Sequence, residues 1–344
     1  MDRRSLGGQL FEILLFTLSS LVLYHTGVGF ALFLVPLQVV ASRRSFGALA
    51  LAEAVFFAVF LGIRLWPMIT QDPHAPPDVI TAMETGIVAV CLVGMLVVNL
   101  PLRRRPRTLV LLLAATGLAG AVAVPTGLLV TRTPAFQHAM DQLFGEVSGM
   151  LAGMFAPGTD SGGAAFLSQV LQPDRLRRMT EATVLRSFAA DYLVLLSFSW
   201  WAGQAAARRV PAYPPALGFR LSAFRLETGW LWPLIVSGAF ILADLFFGGS
   251  PSLEFFRAVA GPYIAWNAGL VVLFLFGLQG MAIVMFLFEK YHVPRILWLL
   301  LIVGLVVLAA SPGAGVFLIL LIPALGIAEN WIRLRIPAGA APSE

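Results

Sequence analysis

"FLFGLQGMAIVMFLFEKYHVPRILWLLLIVGLVV" (residues 274–307) contains two apolar stretches on either side of a short polar segment. The polar segment runs from Glu289 to His292, and Pro294 follows it closely. A helix needs about 20 mainly apolar residues to cross a bilayer. The two stretches belong to apolar segments at 260–287 and 295–311, so the pattern predicts two membrane-crossing helices joined by a short basic turn.

The composition extends this interpretation to the whole chain. Hydrophobic residues make up 59% of the sequence and charged residues 12%, with a mean hydropathy of +0.87, whereas a soluble domain carries about 25% charged residues. The net charge of +5 comes from basic clusters between apolar segments, which is the pattern of topology signals. We therefore expect an integral membrane protein whose first apolar segment stays as an anchor.

Apolar segments recur along the chain and predict an all-α polytopic membrane helix bundle of about ten transmembrane helices, forming a single domain, 1–344. The segments are 10–24, 28–42, 46–66, 79–101, 108–131, 184–206, 230–248, 260–287, 295–311 and 314–331. The first two are short, so a tilted hairpin or a partly re-entrant pair is the alternative to two full crossings.

Basic residues collect on alternate connections between these segments. Sixteen of the 23 Lys and Arg residues fall on one side of the predicted bundle and six on the other, with Arg186 inside a span. The richer side includes the pairs at 43–44 and 208–209 and the cluster at 103–107. Because Lys-rich and Arg-rich loops stay in the cytoplasm, both termini are predicted to be cytoplasmic and the protein to lie in a membrane that borders the cytoplasm.

The longest segment between spans, 132–182, is predicted to lie outside the cytoplasm. Apolar residues recur at spacings of three and four from Phe136 to Met150, with polar residues on the other face. This periodicity predicts an amphipathic helix at 135–156, on the outer membrane surface or across the mouth of the bundle. The Pro-rich connection 207–229 is expected to be an ordered cytoplasmic strap.

Ionisable side chains inside membrane spans are costly and often functional. Seven lie within or near the predicted spans: Glu12, Glu53, Glu84, Arg186, Asp191, Asp244 and Glu329. Glu12 and Glu329 lie near span ends, where a carboxylate reaches the headgroups, and Glu53 lies about two turns into its span. Four residues of matching depth are predicted to converge on an outward-opening polar cavity: Arg186, Asp191, Asp244 and Glu84. The alternative is that all seven form structural pairs or interfacial groups.

Two amide side chains lie inside the predicted span 260–287. Asn267 and Gln279 are 12 residues apart, which places them ~120° apart around a helix and at different depths. Interhelical hydrogen bonding explains both residues, and Gly277 and Gly280 next to Gln279 indicate close helix packing. The alternative interpretation assigns both amides to a solute cavity.

The sequence offers no pattern for catalysis or for a bound metal ion. The four His residues lie in turns or surface segments, Cys91 is the one Cys, and neither an HExxH motif nor a phosphate-binding loop is present. We therefore expect no enzyme activity, no cofactor and no metal site. The expected partners are the lipid bilayer, a small-molecule solute and other membrane proteins, and not nucleic acid.

The C-terminal half contains four features in a fixed order. An apolar span ends in basic residues, "LLSFSWWAGQAAARR"; a Pro-rich strap leads to "FRLETGWLWPLIVSGAFIL"; then follow "GPYIAWNAGLVVLFLFGLQGMAIVMFLFEKYHVPRIL" and a final helical pair. Over 185–331 this order resembles the YybS-like bacterial multi-pass membrane proteins, a family of unknown function. The family is similar in architecture to the S components of energy-coupling-factor transporters, so the resemblance implies a substrate-binding bundle. The family has no agreed catalytic residues to transfer.

Two functions fit the sequence. The first is binding or transport of a small molecule of the S-component type, in a pocket beneath the 135–156 helix. The second is a non-transporting scaffold that recruits envelope or cytoplasmic partners through its basic turns and the 207–229 strap. A transporter gathers its polar side chains at one cavity, whereas a scaffold distributes them among helix contacts.

Reporter fusions test the predicted topology. Fusions at Gly47, Arg105 and Pro214 are expected to report a cytoplasmic position, and fusions at Pro76 and Ser161 an external one, because the charge bias orients the loops. Paired alkaline phosphatase and fluorescent-protein reporters distinguish the two sides. An external signal at Arg105 or Pro214 contradicts the predicted topology.

Overall fold

The protein is helical throughout the part that the computed structural model describes. It describes residues 6–27, 31–71, 79–101, 108–155, 172–209, 221–247, 261–294, 314–332 and 334–335, with part of 296–307, and within these ranges no strand is present. The main helices are α1 (Leu6–His25), α2 (Leu34–Arg43), α3 (Phe46–Gln71), α4 (Val79–Val98), α5 (Thr108–Val130), α6 (Pro134–Phe155), α7 (Pro173–Arg208), α8 (Leu231–Phe247), α9 (Gly261–Lys290) and α10 (Ala314–Ala328). Two 3-10 helices, Leu221–Ala223 and Thr228–Trp230, precede α8.

Seven of the described helices are long and apolar enough to cross a membrane. They are α1, α3, α4, α5, α7, α9, and α8 with the turn before it. An all-helical fold with several membrane-spanning candidates agrees with the sequence prediction.

Three predicted spans are not among these seven. The segment 28–42 forms α2, which has ten residues and a length of ~15 Å, half the thickness of the hydrocarbon core. The segment 314–331 forms α10, whose 15 residues are also fewer than a full crossing needs. Much of 295–311 lies outside the described residues. The count of about ten is therefore not reached within the described part of the chain.

The chain divides into two compact units, Met1–Pro214 and Pro215–Glu344, where the sequence predicts one membrane domain. The boundary falls within the predicted strap, 207–229, of which 210–220 lies outside the described residues. The first unit contains α1 to α7, and the second contains α8 to α10 with both 3-10 helices.

α2 forms the centre of the first unit, where it packs against α1, α3, α4 and α7. The five consecutive residues from Pro36 to Val40 are all buried. Because successive residues of a helix point ~100° apart, burial of five in a row means that α2 is enclosed on all sides. A helix enclosed in this way needs no polar face, which explains why seven of its ten residues are apolar.

Polar contacts hold α2 to α1 at both ends. The Ser20 hydroxyl of α1 donates a hydrogen bond to the Phe33 carbonyl oxygen, just before α2 begins. At the end of α2, Arg43 and Arg44 form ion pairs with Glu12 in the first half of α1. α2 therefore runs antiparallel to the part of α1 between Glu12 and Ser20.

α6 is the helix predicted at 135–156. It packs against α7 and α4 with the Phe136 side chain buried, while Gln137 and His138 are exposed. Arg177 of α7 donates a hydrogen bond of 2.5 Å to Asp141 of α6. The exposed side of the described helix also includes Leu143 and Met150, so its role as an outer amphipathic helix stays a prediction.

In the second unit, α9 and α10 cross closely at two glycines. A Cβ atom added to Gly280 would lie 2.0 Å from the Ile322 carbonyl oxygen, and one added to Gly326 would lie 2.1 Å from the Phe276 carbonyl oxygen. Helix backbones approach this closely in membranes only where small residues leave room. The close packing predicted at Gly280 is therefore confirmed.

We expect Gly280→Ala to lower the free energy of unfolding by about 1–3 kcal/mol, because the new methyl group would clash with backbone that cannot move aside freely. Gly277→Ala is the matched control on the same helix, since its Cβ atom would meet Pro323 Cγ at an ordinary 3.7 Å. Thermal unfolding in detergent compares the two variants. Equal stability of both would show that α9 and α10 do not cross at Gly280.

Candidate functional site

Three polar side chains meet at one end of the first unit. Tyr24 lies in the last turn of α1, Arg64 about two turns before the end of α3, and Glu84 in the second turn of α4. The Tyr24 hydroxyl donates a hydrogen bond of 2.5 Å to Glu84 Oε1, and Arg64 forms an ion pair with the same oxygen. These three residues are called the Arg64 cluster below.

Aromatic rings line the inner side of the Arg64 cluster. The Tyr24 ring makes edge contacts with Phe33 and Phe60, at centroid distances of 5.4 and 5.3 Å. Phe33 stacks on Phe56 at 5.5 Å, and the Arg64 guanidinium lies 6.0 Å from the Phe60 ring centroid. Because all three Phe side chains are fully buried, a fixed aromatic layer supports the charged pair.

The Arg64 cluster is partly open at the surface of the first unit. The exposed fraction of the side chain is 37% for Arg64 and 25% for Glu84. A guanidinium binds carboxylates and phosphates through parallel hydrogen bonds, and a carboxylate accepts hydrogen bonds from amines. Small-molecule sites combine a few such groups with apolar and aromatic lining. The cluster thus has the chemistry to bind a small anionic or zwitterionic solute.

An amide pair joins α2 to the end of α4 inside the first unit. Gln38 Nε2 donates a hydrogen bond of 3.2 Å to Asn99 Oδ1, and Asn99 Nδ2 donates one of 2.8 Å to Gln38 Oε1. Gln38 is completely buried, and a Cβ atom at Gly203 of α7 would come within 2.5 Å of its side chain. Because the two amides satisfy each other, this pair stabilises the position of α2.

Gln279 belongs to a buried network in the second unit. Its Nε2 donates a hydrogen bond of 2.9 Å to Glu329 Oε2, and its Oε1 accepts one of 3.0 Å from the Leu226 backbone N–H. Gln279 therefore joins α9 to the turn after α10 and to the described end of the predicted strap. This contact agrees with the interhelical interpretation of the amide.

Arg335 completes the same network. It binds both carboxylate oxygens of Glu329, at 2.5 and 2.6 Å, and donates hydrogen bonds to the carbonyl oxygens of Ser222 and Phe224. Glu329, which we expected to reach the headgroups, is instead 5% exposed. A bidentate guanidinium neutralises the carboxylate and makes this burial stable.

The four residues predicted to converge on one cavity belong to both units: Glu84, Arg186 and Asp191 to the first and Asp244 to the second. Glu84 binds Arg64. Asp191 is exposed on α7 and accepts a hydrogen bond of 2.6 Å from Ser187, one turn earlier on the same helix. Arg186 and Asp244 are half-buried. Convergence of the four on one cavity stays a prediction.

Asn267 is buried in α9. Its Nδ2 donates a hydrogen bond of 2.8 Å to the Tyr263 carbonyl oxygen, four residues earlier in the same helix. This bond satisfies one donor of the amide within α9. A role for Asn267 in a solute cavity also stays a prediction.

Sequence reasoning missed Arg64 and Tyr24 as the partners of Glu84. The sequence contains one signal for Arg64. Arg64 lies near the end of the apolar segment 46–66, and Glu84 lies near the start of the next segment, 79–101. Consecutive spans run antiparallel, so equal depth in two such spans indicates a pair. Tyr24 carries no comparable signal, since its contact with Glu84 joins residues 60 positions apart.

Comparisons with known proteins give no match: no family model, curated protein or solved structure matches the chain. The resemblance of 185–331 to the YybS-like proteins stays a prediction based on its motifs. The geometry of the two units is therefore the basis for a functional interpretation.

We expect Gln279→Leu to lower the free energy of unfolding by about 1–3 kcal/mol, because the Leu226 N–H and the Glu329 carboxylate would each lose a buried partner. Gln204→Leu is the control, since Gln204 Oε1 has no hydrogen-bond partner among the described residues. Reversible unfolding in bicelles measures both. A loss near 0.6 kcal/mol for Gln279→Leu, the average for an intramembrane hydrogen bond, would argue against a connected network.

Proposed function

We propose that the protein is a bacterial inner-membrane protein that binds or transports a small solute, with about ten membrane crossings and both termini in the cytoplasm. The enclosed short helix α2 is the observation that carries the proposal. Transporters commonly contain helices that begin or end inside the membrane, with the solute or ion site beside them. Irregular backbone at that depth is tolerated where protein encloses it or where it lines a cavity.

The start of α2 is linked directly to the Arg64 cluster. Phe33 is the residue before α2, and its ring lies in the aromatic layer against Tyr24 and Phe56. The N-terminal end of a helix carries a partial positive charge, and the guanidinium of Arg64 carries a full positive charge. Both features favour a solute with an anionic group.

The charge bias supports an outward-facing site. Glu12 and Tyr24 are 12 residues apart on α1, which separates the Arg43–Arg44 pair from the Arg64 cluster by ~18 Å along the helix axis. If the basic pair marks the cytoplasmic side, the Arg64 cluster faces outside and α6 is the outer amphipathic helix. This arrangement suits the S-component type of bundle that the YybS-like resemblance implies.

A non-transporting scaffold is the alternative function. In the described part of the chain, the pairs Gln38–Asn99 and Gln279–Glu329 use polar groups for helix contacts, which is the distribution expected of a scaffold. The enclosed α2 and the partly exposed Arg64–Glu84 pair favour solute binding, because helix contacts alone require neither.

Purification from native membranes tests the proposal, with mass spectrometry of both bound small molecules and bound proteins. We expect one small molecule at close to one per protein chain in the wild type. Arg64→Ala should reduce its occupancy about tenfold at limiting solute, which corresponds to ~1.4 kcal/mol of binding free energy. Arg132→Ala is the control, since Arg132 is exposed and lies outside the cluster.

The same measurement identifies the alternative. If proteins co-purify in fixed ratio with the chain while no small molecule does, the scaffold function is correct and solute binding is not. Equal loss of a small molecule in Arg64→Ala and Arg132→Ala would place its site away from the Arg64 cluster.

A further inference from the structure

Glu53 is a carboxyl group in the interior of the first unit. It lies seven residues after the start of α3, ~10 Å along the helix axis from that end, and only 3% of the residue is exposed. Neither of its carboxyl oxygens has a hydrogen-bond partner among the described residues. Glu12 and Glu84 in the same unit are each bound to Arg, whereas the carboxyl oxygens of Glu53 bind no Arg among the described residues.

The helices around α3 supply no described cation to balance Glu53. Leu49 and Phe56, one turn before and after it on α3, are fully buried and apolar. Cys91 of α4 and Tyr192 of α7 are also buried in the first unit. The Tyr192 hydroxyl donates its own hydrogen bond, of 2.8 Å, to the Val90 carbonyl oxygen.

Glu12 and Tyr24 of α1 and Arg43 of α2 have partners elsewhere, and His25, the other titratable residue of α1, is exposed. On α1, Glu12 binds Arg43 and Arg44 of α2, and Tyr24 binds Glu84 of α4. α1, α2 and α4 pack against α3. Glu53 therefore lies between buried apolar residues of α3, and its carboxyl group has no hydrogen-bond partner among the described residues.

An ionised carboxylate in such a place loses its hydration without gaining a partner. Either a proton or a metal cation must neutralise it. A hard metal cation needs about six oxygen ligands, and among the described residues no three His, Cys, Asp or Glu side chains are grouped as metal ligands. A proton needs only the carboxyl group itself, so the surroundings favour a proton.

We propose that Glu53 is a proton-binding site in the core of the first unit. The carboxylate takes up one proton from the aqueous phase to become a neutral carboxylic acid, and it returns that proton to become a carboxylate again. No other reactant takes part in this exchange. Ionisable residues inside membrane bundles commonly serve proton relays and ion coupling. The site goes beyond solute binding at the Arg64 cluster, because proton binding changes the charge in the interior of the first unit.

Infrared difference spectroscopy of the full chain in lipid nanodiscs tests this site without any solute. We expect a carbonyl stretch of a protonated carboxylic acid that disappears reversibly as the pH is raised. Glu53→Gln should abolish this band, and Glu53→Asp should retain a titrating band at a shifted frequency. Glu146→Gln, which changes an exposed carboxylate of α6, should leave the band unchanged.

Two other outcomes of the infrared measurement overturn the proposal. Absence of the band from the wild type at every pH means that Glu53 stays ionised. A band that is lost in Glu53→Gln but never titrates means that Glu53 is a permanently neutral structural acid. If Glu53→Gln does not fold, the Glu53→Asp frequency shift decides the assignment. Because no solute is present, failure here leaves the co-purification result for the Arg64 cluster unaffected.

Discussion

A helix that begins inside a bilayer exposes backbone groups that lipid cannot satisfy, so protein must satisfy them. In the membrane-spanning arrangement proposed above, α2 imposes this constraint on the first unit. Backbone hydrogen bonds satisfy part of it, from the Val35 N–H to the Leu32 carbonyl oxygen at the start of α2 and from the Arg44 N–H to the Val40 carbonyl oxygen at its end. α1 adds a hydrogen bond from the Ser20 hydroxyl to the Phe33 carbonyl oxygen and the ion pairs of Glu12 with Arg43 and Arg44. Gly203 lets α7 lie directly on α2. The positions of α1 and α7 thus follow from the need to enclose a ten-residue helix.

The same constraint brings the functional groups of the first unit together. Phe33 leads into α2 and also belongs to the aromatic layer under the Arg64 cluster. Glu53 lies on α3, which packs against the side of α2. The network of Gln279, Glu329 and Arg335 in the second unit has a different character, because its members satisfy one another. Our proposals of solute and proton binding therefore concern the first unit, whereas this network holds parts of the second unit together.

Local properties of the sequence predicted much of the fold. Hydropathy placed a span at 108–131, where α5 covers Thr108–Val130, and another at 79–101, where α4 covers Val79–Val98. The length of α2 was harder to predict, because an apolar segment that is enclosed by protein has the same hydropathy as one that faces lipid.

Long-range pairs were beyond the reach of local patterns. Gln279 was correctly interpreted as an interhelical amide, but its partner Glu329 lies 50 residues away and was assigned to the headgroup region. Arg335 lies beyond the last predicted span, 314–331, and the sequence around it does not indicate that its side chain binds a buried carboxylate. Glu53 and Glu84 were identified as ionisable span residues, yet only the structure shows that Glu84 has an Arg partner and that Glu53 has none among the described residues.

Photolabelling with a lipid-soluble carbene reagent, mapped by mass spectrometry, tests the enclosed position of α2 most directly. Leu14 and Leu18 of α1 are exposed on the surface of the structure, whereas Leu37 and Val40 of α2 are buried. We expect the reagent to label α1 at Leu14 and Leu18 and to leave Leu37 and Val40 of α2 unlabelled. Labelling of α2 at the level found on α1 would mean that α2 faces lipid. The proposal of solute binding, which depends on an enclosed α2, would then be wrong.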